Sequence, residues 1–464
     1  MPLEGVHKIR QADTLFAGFS YCMEQTPFFK PRIVQRGVNP GTSIGEFPVF
    51  SYLISIPCKL TGVWTESAPK LINFFFLILG IFVWFKVLTY LNGSAINFLS
   101  FSVFYFFSTN TLVHYQIPIP DHFALFLMGC AMWLNCILKN ETNSKEKIGF
   151  MLRGIIQVLI PIFFLTAFLM RPYLIPLIAL FFFPLQFEIR SFFQFSFLSS
   201  LFLSILGFLL WYKWWAPNQS TIFYYNTQIL SLTEVALQWR GVFQGLYEQL
   251  LRSYLNFIGI ILLGIYAWKG KKLFKPNSMI FDLIILAFLS YLFVVLIKGD
   301  HGTRHGYYFS AFFIYLTFLL TLLSEMILSP RIKYFILYGF IIIGTAQSQH
   351  YFHGKFQSYF NELTELRSQI PTSSLVATYA ATESNDPVEL YSLQRAGLAF
   401  ATTDLPEATK TALETTNHNE ISDRYCPRRM NYLLIARKLD PRGTQSLQKN
   451  YSLIRCVENE ILGH

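Results

Sequence analysis

From Leu71 to about His350 the chain alternates long apolar runs with short polar breaks, and outside those limits the alternation stops. The apolar runs begin near Leu71, Ala95, His122, Gly149, Tyr173, Phe192, Tyr254, Met279, Tyr307 and Ile332. Each holds roughly 20 residues, the length that crosses the hydrocarbon of a bilayer, so the pattern predicts about ten spans. All are expected to be helical, because backbone facing lipid must satisfy its hydrogen bonds within the segment. Ahead of them, residues 1–66 carry two polar clusters, His7 to Thr14 and Glu46 to Pro48. Between these, Ala12 to Met23 predicts a helix lying in the membrane interface. Phe47 to Leu60 is a second apolar stretch, too short and too broken by Pro57 to be a span, and Arg36 to Thr42 has turn chemistry. After His350 the pattern turns mixed and polar. Helices are expected over Phe356 to Ile370 and Glu407 to Thr415, and strands over Ser374 to Tyr379, Tyr432 to Ile435 and Tyr451 to Cys456, a small α/β unit. The expected domains are therefore 1–66, 67–350 and 351–464.

Composition agrees with the periodicity. Of 464 residues 53% are hydrophobic and only 14% charged, against about 25% charged in a soluble domain. A polytopic membrane protein is the reading that follows. Lys and Arg are scattered, with no fingerprint of a nucleic-acid module, so the net charge of +10 does not point to DNA or RNA. Orientation follows from the short loops. Lys139, Lys145, Lys147, Arg190, Lys269, Lys271, Lys272, Lys275, Arg331 and Lys333 fall on one side, and fewer cations, among them Arg171, Lys213, Arg240, Lys298 and Arg304, on the other. By the positive-inside rule both termini lie outside the cytoplasm. Lys30, Arg32 and Arg36 near the head are placed to meet anionic lipid. Trp214, Trp215, Tyr224, Tyr225 and Trp239 mark the loop 213–250 as an aromatic belt or an interface-hugging lid. A head carried across the membrane calls for a signal anchor, and Met1 leads directly into polar sequence; a transmembrane helix ahead of Met1 is the expectation. Cys130 and Cys136 read as packing residues, Cys22 and Cys58 lie in the head, and Cys426 and Cys456 in the tail are a candidate bridge.

Three carboxylates fall on the outer side. Asp13 heads the interfacial helix, Glu46 precedes Phe47-Pro48, and Asp121 follows Pro118-Ile119-Pro120 at the mouth of a span. Singly, each reads as a solvated cap, and Asp121 as a helix N-cap. Converging from separate segments to within about 10 Å, they would suit a general base or a divalent metal.

Arg10-Gln11-Ala12-Asp13-Thr14, then Glu46-Phe47-Pro48, then Pro120-Asp121 resemble, in order and spacing, the GT-C glycosyltransferases that take sugars from polyprenyl phosphates, the group of protein O-mannosyltransferases and the lipid A aminoarabinose transferase. Arg171-Pro172 and His305-Gly306-Tyr307-Tyr308 resemble later steps of the same pattern, and the likeness runs over about residues 2–350. It implies an all-α GT-C-like membrane bundle with a small α/β extracytoplasmic C-terminal domain, and an inverting hexosyl- or pentosyltransferase. The donor it implies is a polyprenyl-phosphate sugar and the acceptor a hydroxyl on lipid, glycan or protein. Asp13 and Asp121 take the catalytic positions, and Arg10, Glu46, Arg171, His305 and Tyr308 those of substrate binding. Asp13, Glu46 and Asp121 are the candidate ligands of a divalent metal, magnesium or manganese; no nucleotide cofactor is implied.

One departure stands out. Where relatives carry an acidic residue after the histidine, this chain has Lys8, with Ile9 in place of the aromatic. Either Asp13 or Asp121 serves as base, or Lys8 changes the donor preference, or the enzyme is impaired. The competing classes are a transporter or flippase of a lipid-linked sugar, which calls for midplane charges and internal repeats not visible here, and a membrane scaffold. The Phe-, Ile- and Lys-rich style fits a bacterial inner membrane with its active site outside the cytoplasm.

Overall fold

The computed structural model describes residues 8–32, 46–65, 67–92, 96–115, 117–143, 149–182, 195–219, 232–248, 250, 254–269, 279–303, 306–327, 329–352, 365–371, 375–380, 396–400, 432–438 and 449–455. The chain divides into two compact units. One comprises Met1–Pro69, Trp215–Tyr224 and His353–His464, the other Lys70–Trp214 and Tyr225–Phe352.

The larger unit is a helical membrane bundle, and the chain is an integral, multi-pass membrane protein. Its first helices are α3 (Ser67–Asn92), α4 (Phe98–Phe106), α5 (Thr109–His114), α6 (Asp121–Asn143) and α7 (Phe150–Met170). A 3-10 segment, Pro172–Phe182, leads on to α8 (Phe195–Phe208), which runs into a π-helical turn. Then come α9 (Leu232–Leu237), α10 (Trp239–Glu248), α11 (Asn256–Lys269), α12 (Met279–Thr303), α13 (Ser310–Ile327) and α14 (Pro330–Phe352). Each apolar run read from the sequence falls on one of these elements. Five stretches, Ser67–Asn92, Asp121–Lys139, Phe150–Met170, Phe197–Asn218 and Met279–Ile297, are long and apolar enough to cross a membrane. The run beginning at Tyr173 is wound as the 3-10 segment, whose backbone follows Pro172 and contains Pro176. Within α12, Gly299 at φ 57, ψ −150 interrupts the helix just beyond that apolar stretch, a conformation that only glycine adopts readily.

At the centre is α13, apolar on every side and buried from Ser310 to Ser324, as expected of a helix surrounded by others. Tyr315 donates to the Pro176 carbonyl (2.8 Å), tying α13 to the 3-10 segment. Trp84 donates from its indole to the Leu125 carbonyl (3.0 Å), tying α3 to α6. Ser100 and Lys333 both donate to Glu325, at 3.0 and 2.9 Å, joining α4, α13 and α14. α14 approaches the end of α4 so closely that a Cβ on Gly344 would lie 2.0 Å from the Phe107 carbonyl oxygen. Gly344→Ala is therefore expected to destabilise the bundle by about 1–3 kcal/mol. Gly80→Ala, whose Cβ meets only the Tyr105 hydroxyl at 3.6 Å, should leave the melting temperature in detergent near that of the parent. Equal melting of both variants would mean that the helices are not held at this distance.

The smaller unit begins with a helical hairpin, α1 (Lys8–Met23) and α2 (Val49–Thr61). The sequence leads one to expect α1 in the membrane interface; in this unit it buries Ala12, Leu15, Phe16 and Ala17, while α2 buries Phe50, Ile54 and Cys58. A Cβ on Gly18 would lie 2.9 Å from Ile54, so the helices cross closely there. A disulfide joins Cys22 to Cys58, with Cα atoms 5.9 Å apart, closing a loop of 36 residues. Tyr21, also in this hairpin, donates to the Phe28 carbonyl (2.6 Å); burial, with Tyr52 nearby, raises its pKa above the ordinary tyrosine value. The C-terminal part of the unit forms a sheet of β1 (Leu375–Ala380), β2 (Ala396–Phe400), β3 (Tyr432–Lys438) and β4 (Lys449–Arg455) in the order β2-β1-β3-β4. β1 runs parallel to both neighbours and β3–β4 is antiparallel. Three of these strands match the sequence expectation and β2 is additional. The helix expected over Glu407 to Thr415 and the candidate Cys426–Cys456 bridge lie outside the described residues.

Candidate functional site

The site in the membrane bundle is built around Asp121. Two prolines, Pro118 and Pro120, hold the approach out of helical geometry, so α6 starts at Asp121 itself. That approach is fastened by a buried amide. Asn73, 0% exposed within the first apolar helix, donates through Nδ2 to the carbonyls of His114 (3.1 Å), Tyr115 (3.2 Å) and Ile117 (2.9 Å). An amide inside a membrane helix is expensive to bury unless it is satisfied. Here Nδ2 serves carbonyls that the end of α5 leaves over, while Oδ1 is buried without a hydrogen-bond partner among the described residues.

Arg171 closes the pair from the other side. Pro172 ends α7 by removing the next backbone donor, and the Arg171 side chain turns to Asp121. Nε donates to Oδ1 at 2.8 Å and Nη2 to Oδ2 at 2.6 Å, while Nη1 donates to the Met170 carbonyl at 3.1 Å. This planar two-point match is available to a guanidinium and not to an ammonium. Both residues are buried, Arg171 2% and Asp121 4% exposed. The carboxylate proposed as base or metal ligand and the cation proposed as phosphate contact are thus partners of one another, and together carry no net charge.

Around them lie His114, His122 and Tyr254, all within electrostatic range of Asp121. His114 Nδ1 sits 2.8 Å from the Asn110 carbonyl; a carbonyl only accepts, so the proton is on Nδ1 and Nε2 is the acceptor. Tyr308, a candidate substrate contact, is buried in the short 3-10 turn Gly306–Phe309 with its ring 4.5 Å from that of Tyr173, two residues beyond Arg171.

The other candidates belong to the smaller unit. Asp13 is half-buried on α1, one helical turn ahead of the buried Ala17, and Glu46 is half-buried just ahead of α2. Arg10 and Lys8 lie in the first turn of α1; their side chains, like His305, lie outside the described residues. Among the described residues no group of three or more His, Cys, Asp or Glu side chains is gathered to hold a metal ion. Both Asp121 oxygens already accept from Arg171, so that carboxylate as it stands does not fit a metal-ligand role.

The described backbone matches ArnT from Cupriavidus metallidurans, solved bound to undecaprenyl phosphate, with a TM-score of 0.57 over 94% of this chain and 89% of that one, at 11% identity. The chain shares its fold with that protein. The Archaeoglobus fulgidus oligosaccharyltransferase, solved with zinc and sulfate, matches at a TM-score of 0.51 and 12% identity. Here 94% of this chain is covered, but the chain spans only 64% of that protein's length. No family model matches the sequence. No curated protein matches it either.

Of the residues singled out in the sequence, Asp121, Arg171 and Tyr308 stand in the bundle, and Asp13 and Glu46 in the other unit. Asn73, His114 and His122 were missed. A polar amide and two imidazoles interrupting apolar runs are the signal that would have found them.

Proposed function

We propose that this protein is a membrane glycosyltransferase that moves a sugar from a polyprenyl-phosphate donor to a hydroxyl acceptor outside the cytoplasm. The observation that carries the reading is the match in fold to ArnT, a structure holding undecaprenyl phosphate, along nearly the whole chain. The ordered set Arg10 to Asp13, Glu46 and Pro120-Asp121 supports it independently. In the proposed reaction Asp13 takes the proton of the acceptor hydroxyl, the freed oxygen attacks the anomeric carbon from the side opposite the phosphate, and the bond from that carbon to the phosphate oxygen breaks. The configuration inverts and polyprenyl phosphate leaves, its growing charge met by Arg10 and His305. The Asp121–Arg171 pair holds the start of α6 to the end of α7. A divalent ion held by Asp121 would compete with Arg171 for the carboxylate oxygens.

Mass spectrometry of the lipid that copurifies with the protein tests the reading. A polyprenyl phosphate or its sugar conjugate is expected; phospholipid alone, together with no turnover of any polyprenyl-phosphate pentose or hexose, would reject it.

The Cys22–Cys58 disulfide supports an oxidising environment for the head, and so the orientation proposed from the lysine-rich loops. A reporter fused after Lys272 is expected to read cytoplasmic, and one after Asp404 extracytoplasmic. The reverse pattern would put Asp13 and Asp121 on the wrong side for this reaction.

A further inference from the structure

In the smaller unit the two helices of the hairpin meet different surroundings. No residue of α1 from Ala12 to Tyr21 is exposed. α2 turns Phe50, Ile54 and Cys58 inward, and its opposite stripe, Leu53, Ile56 and Leu60 at helical spacing, is apolar as well. Ile56 is 39% and Leu60 82% exposed, and Val63, just past the Gly62 turn, is 60% exposed. A helix apolar all round belongs in apolar surroundings on all sides, and protein supplies only one side of α2. Exposed apolar residues gathered on one stripe mark a surface that another body covers.

The length of α2 and its one charge point to lipid. With 13 residues it is about 20 Å long, too short to cross roughly 30 Å of hydrocarbon, so in a bilayer it would lie along the surface. Residues 62–66 alone separate it from α3, the first membrane helix, and a connection of that length reaches at most about 20 Å. Lys59 is the only charged residue of α2 and flanks the apolar stripe, its ammonium 3.9 Å from the centre of the Tyr52 ring. A lysine beside a tyrosine at a lipid boundary lays its stem along apolar surface and carries its charge up to the phosphates. A cation so placed favours anionic headgroups.

We propose that α2 docks in the bilayer surface, with Leu53, Ile56, Leu60 and Val63 among the lipid chains and Lys59 at an anionic headgroup. The interfacial position that the sequence suggests for Ala12 to Met23 thus passes to the other helix of the hairpin. Through the Cys22–Cys58 bridge α2 then keeps α1, and Asp13 with it, at the membrane. The inference stands whether or not the chain transfers a sugar.

The test is photo-crosslinking of the full-length protein in nanodiscs of phosphatidylglycerol and phosphatidylcholine in equal parts. p-Benzoylphenylalanine replaces, one at a time, Leu60, Phe202, which is exposed on the apolar α8, and Glu365, which is exposed in the C-terminal part of the smaller unit. Lipid adducts are read by mass spectrometry. Position 60 is expected to label lipid as position 202 does, and position 365 to label little. At position 60 the phosphatidylglycerol adducts should exceed those of phosphatidylcholine about fivefold, the yield of one cation near an anionic surface, and Lys59→Gln should bring the two within about twofold. If the position 60 variant does not assemble, Ile56 is replaced instead. Crosslinks to a second copy, crosslinks only within the chain, or none at all would put protein or water on the stripe and overturn the proposal. Equal labelling of the two lipids, or a preference that Lys59→Gln leaves untouched, would overturn the place given to Lys59.

Discussion

Arg171→Met is expected to destabilise the protein by about 3–5 kcal/mol, because it takes the guanidinium away from a carboxylate that is 4% exposed and keeps it buried. Arg171→Met with Asp121→Leu should recover most of the loss, since removing both charges leaves nothing to desolvate, and replacing a buried pair by apolar residues is often close to neutral. Chemical unfolding of the detergent-purified variants makes the comparison. A single variant as stable as the parent would show that water reaches the pair. If the double variant regains stability and still turns over no donor, the pair serves the reaction beyond holding the helix ends.

The largest expected effect on turnover is at Asp13. Asp13→Asn should slow transfer from a polyprenyl-phosphate sugar by about 10²–10⁴-fold, the usual range for loss of a general base, while the donor still binds. Asp121→Asn should behave differently, losing stability together with activity, because its effect passes through Arg171. Lys8→Glu introduces an acidic residue at the position where the sequence resemblance implies one, and is expected to change little if Asp13 is the working base. Acceleration by Lys8→Glu would instead mean that the base belongs at position 8 and that the native enzyme is slow. Turnover unaffected by both Asn substitutions would leave neither carboxylate as the base.

Much of the bundle could be read in advance because hydrophobic runs report their own burial in lipid: the runs beginning at Leu71, His122, Gly149 and Met279 became α3, α6, α7 and α12. The run at Tyr173 was found as an apolar element, but its 3-10 winding depends on two prolines set within dense packing, which periodicity does not report. The Asp121–Arg171 pair was not foreseen as a pair although each residue was singled out. They lie 50 positions apart, and only the packing of α6 against α7 decides that one faces the other. The same holds for Cys22 and Cys58, which spacing alone could not match. Strand β2, Ala396–Phe400, carries a glycine and two alanines and so lacks the β-branched signature of a strand. Asn73 was readable in principle, as one amide in an apolar run.

The Cys22–Cys58 bridge makes the molecule keep a record of its own biogenesis. It forms only where thiols are oxidised, and once formed it outlasts extraction from the membrane. Copies inserted upside down would keep both thiols and would be told apart by alkylation, since Cys130 and Cys136 are unbridged in either orientation. Because Glu46 sits inside the loop that the bridge closes, a host that cannot oxidise these thiols would produce a protein whose α1–α2 hairpin is held by packing alone, and poor yield of working protein from such a host would be a failure of maturation, with membrane insertion itself intact.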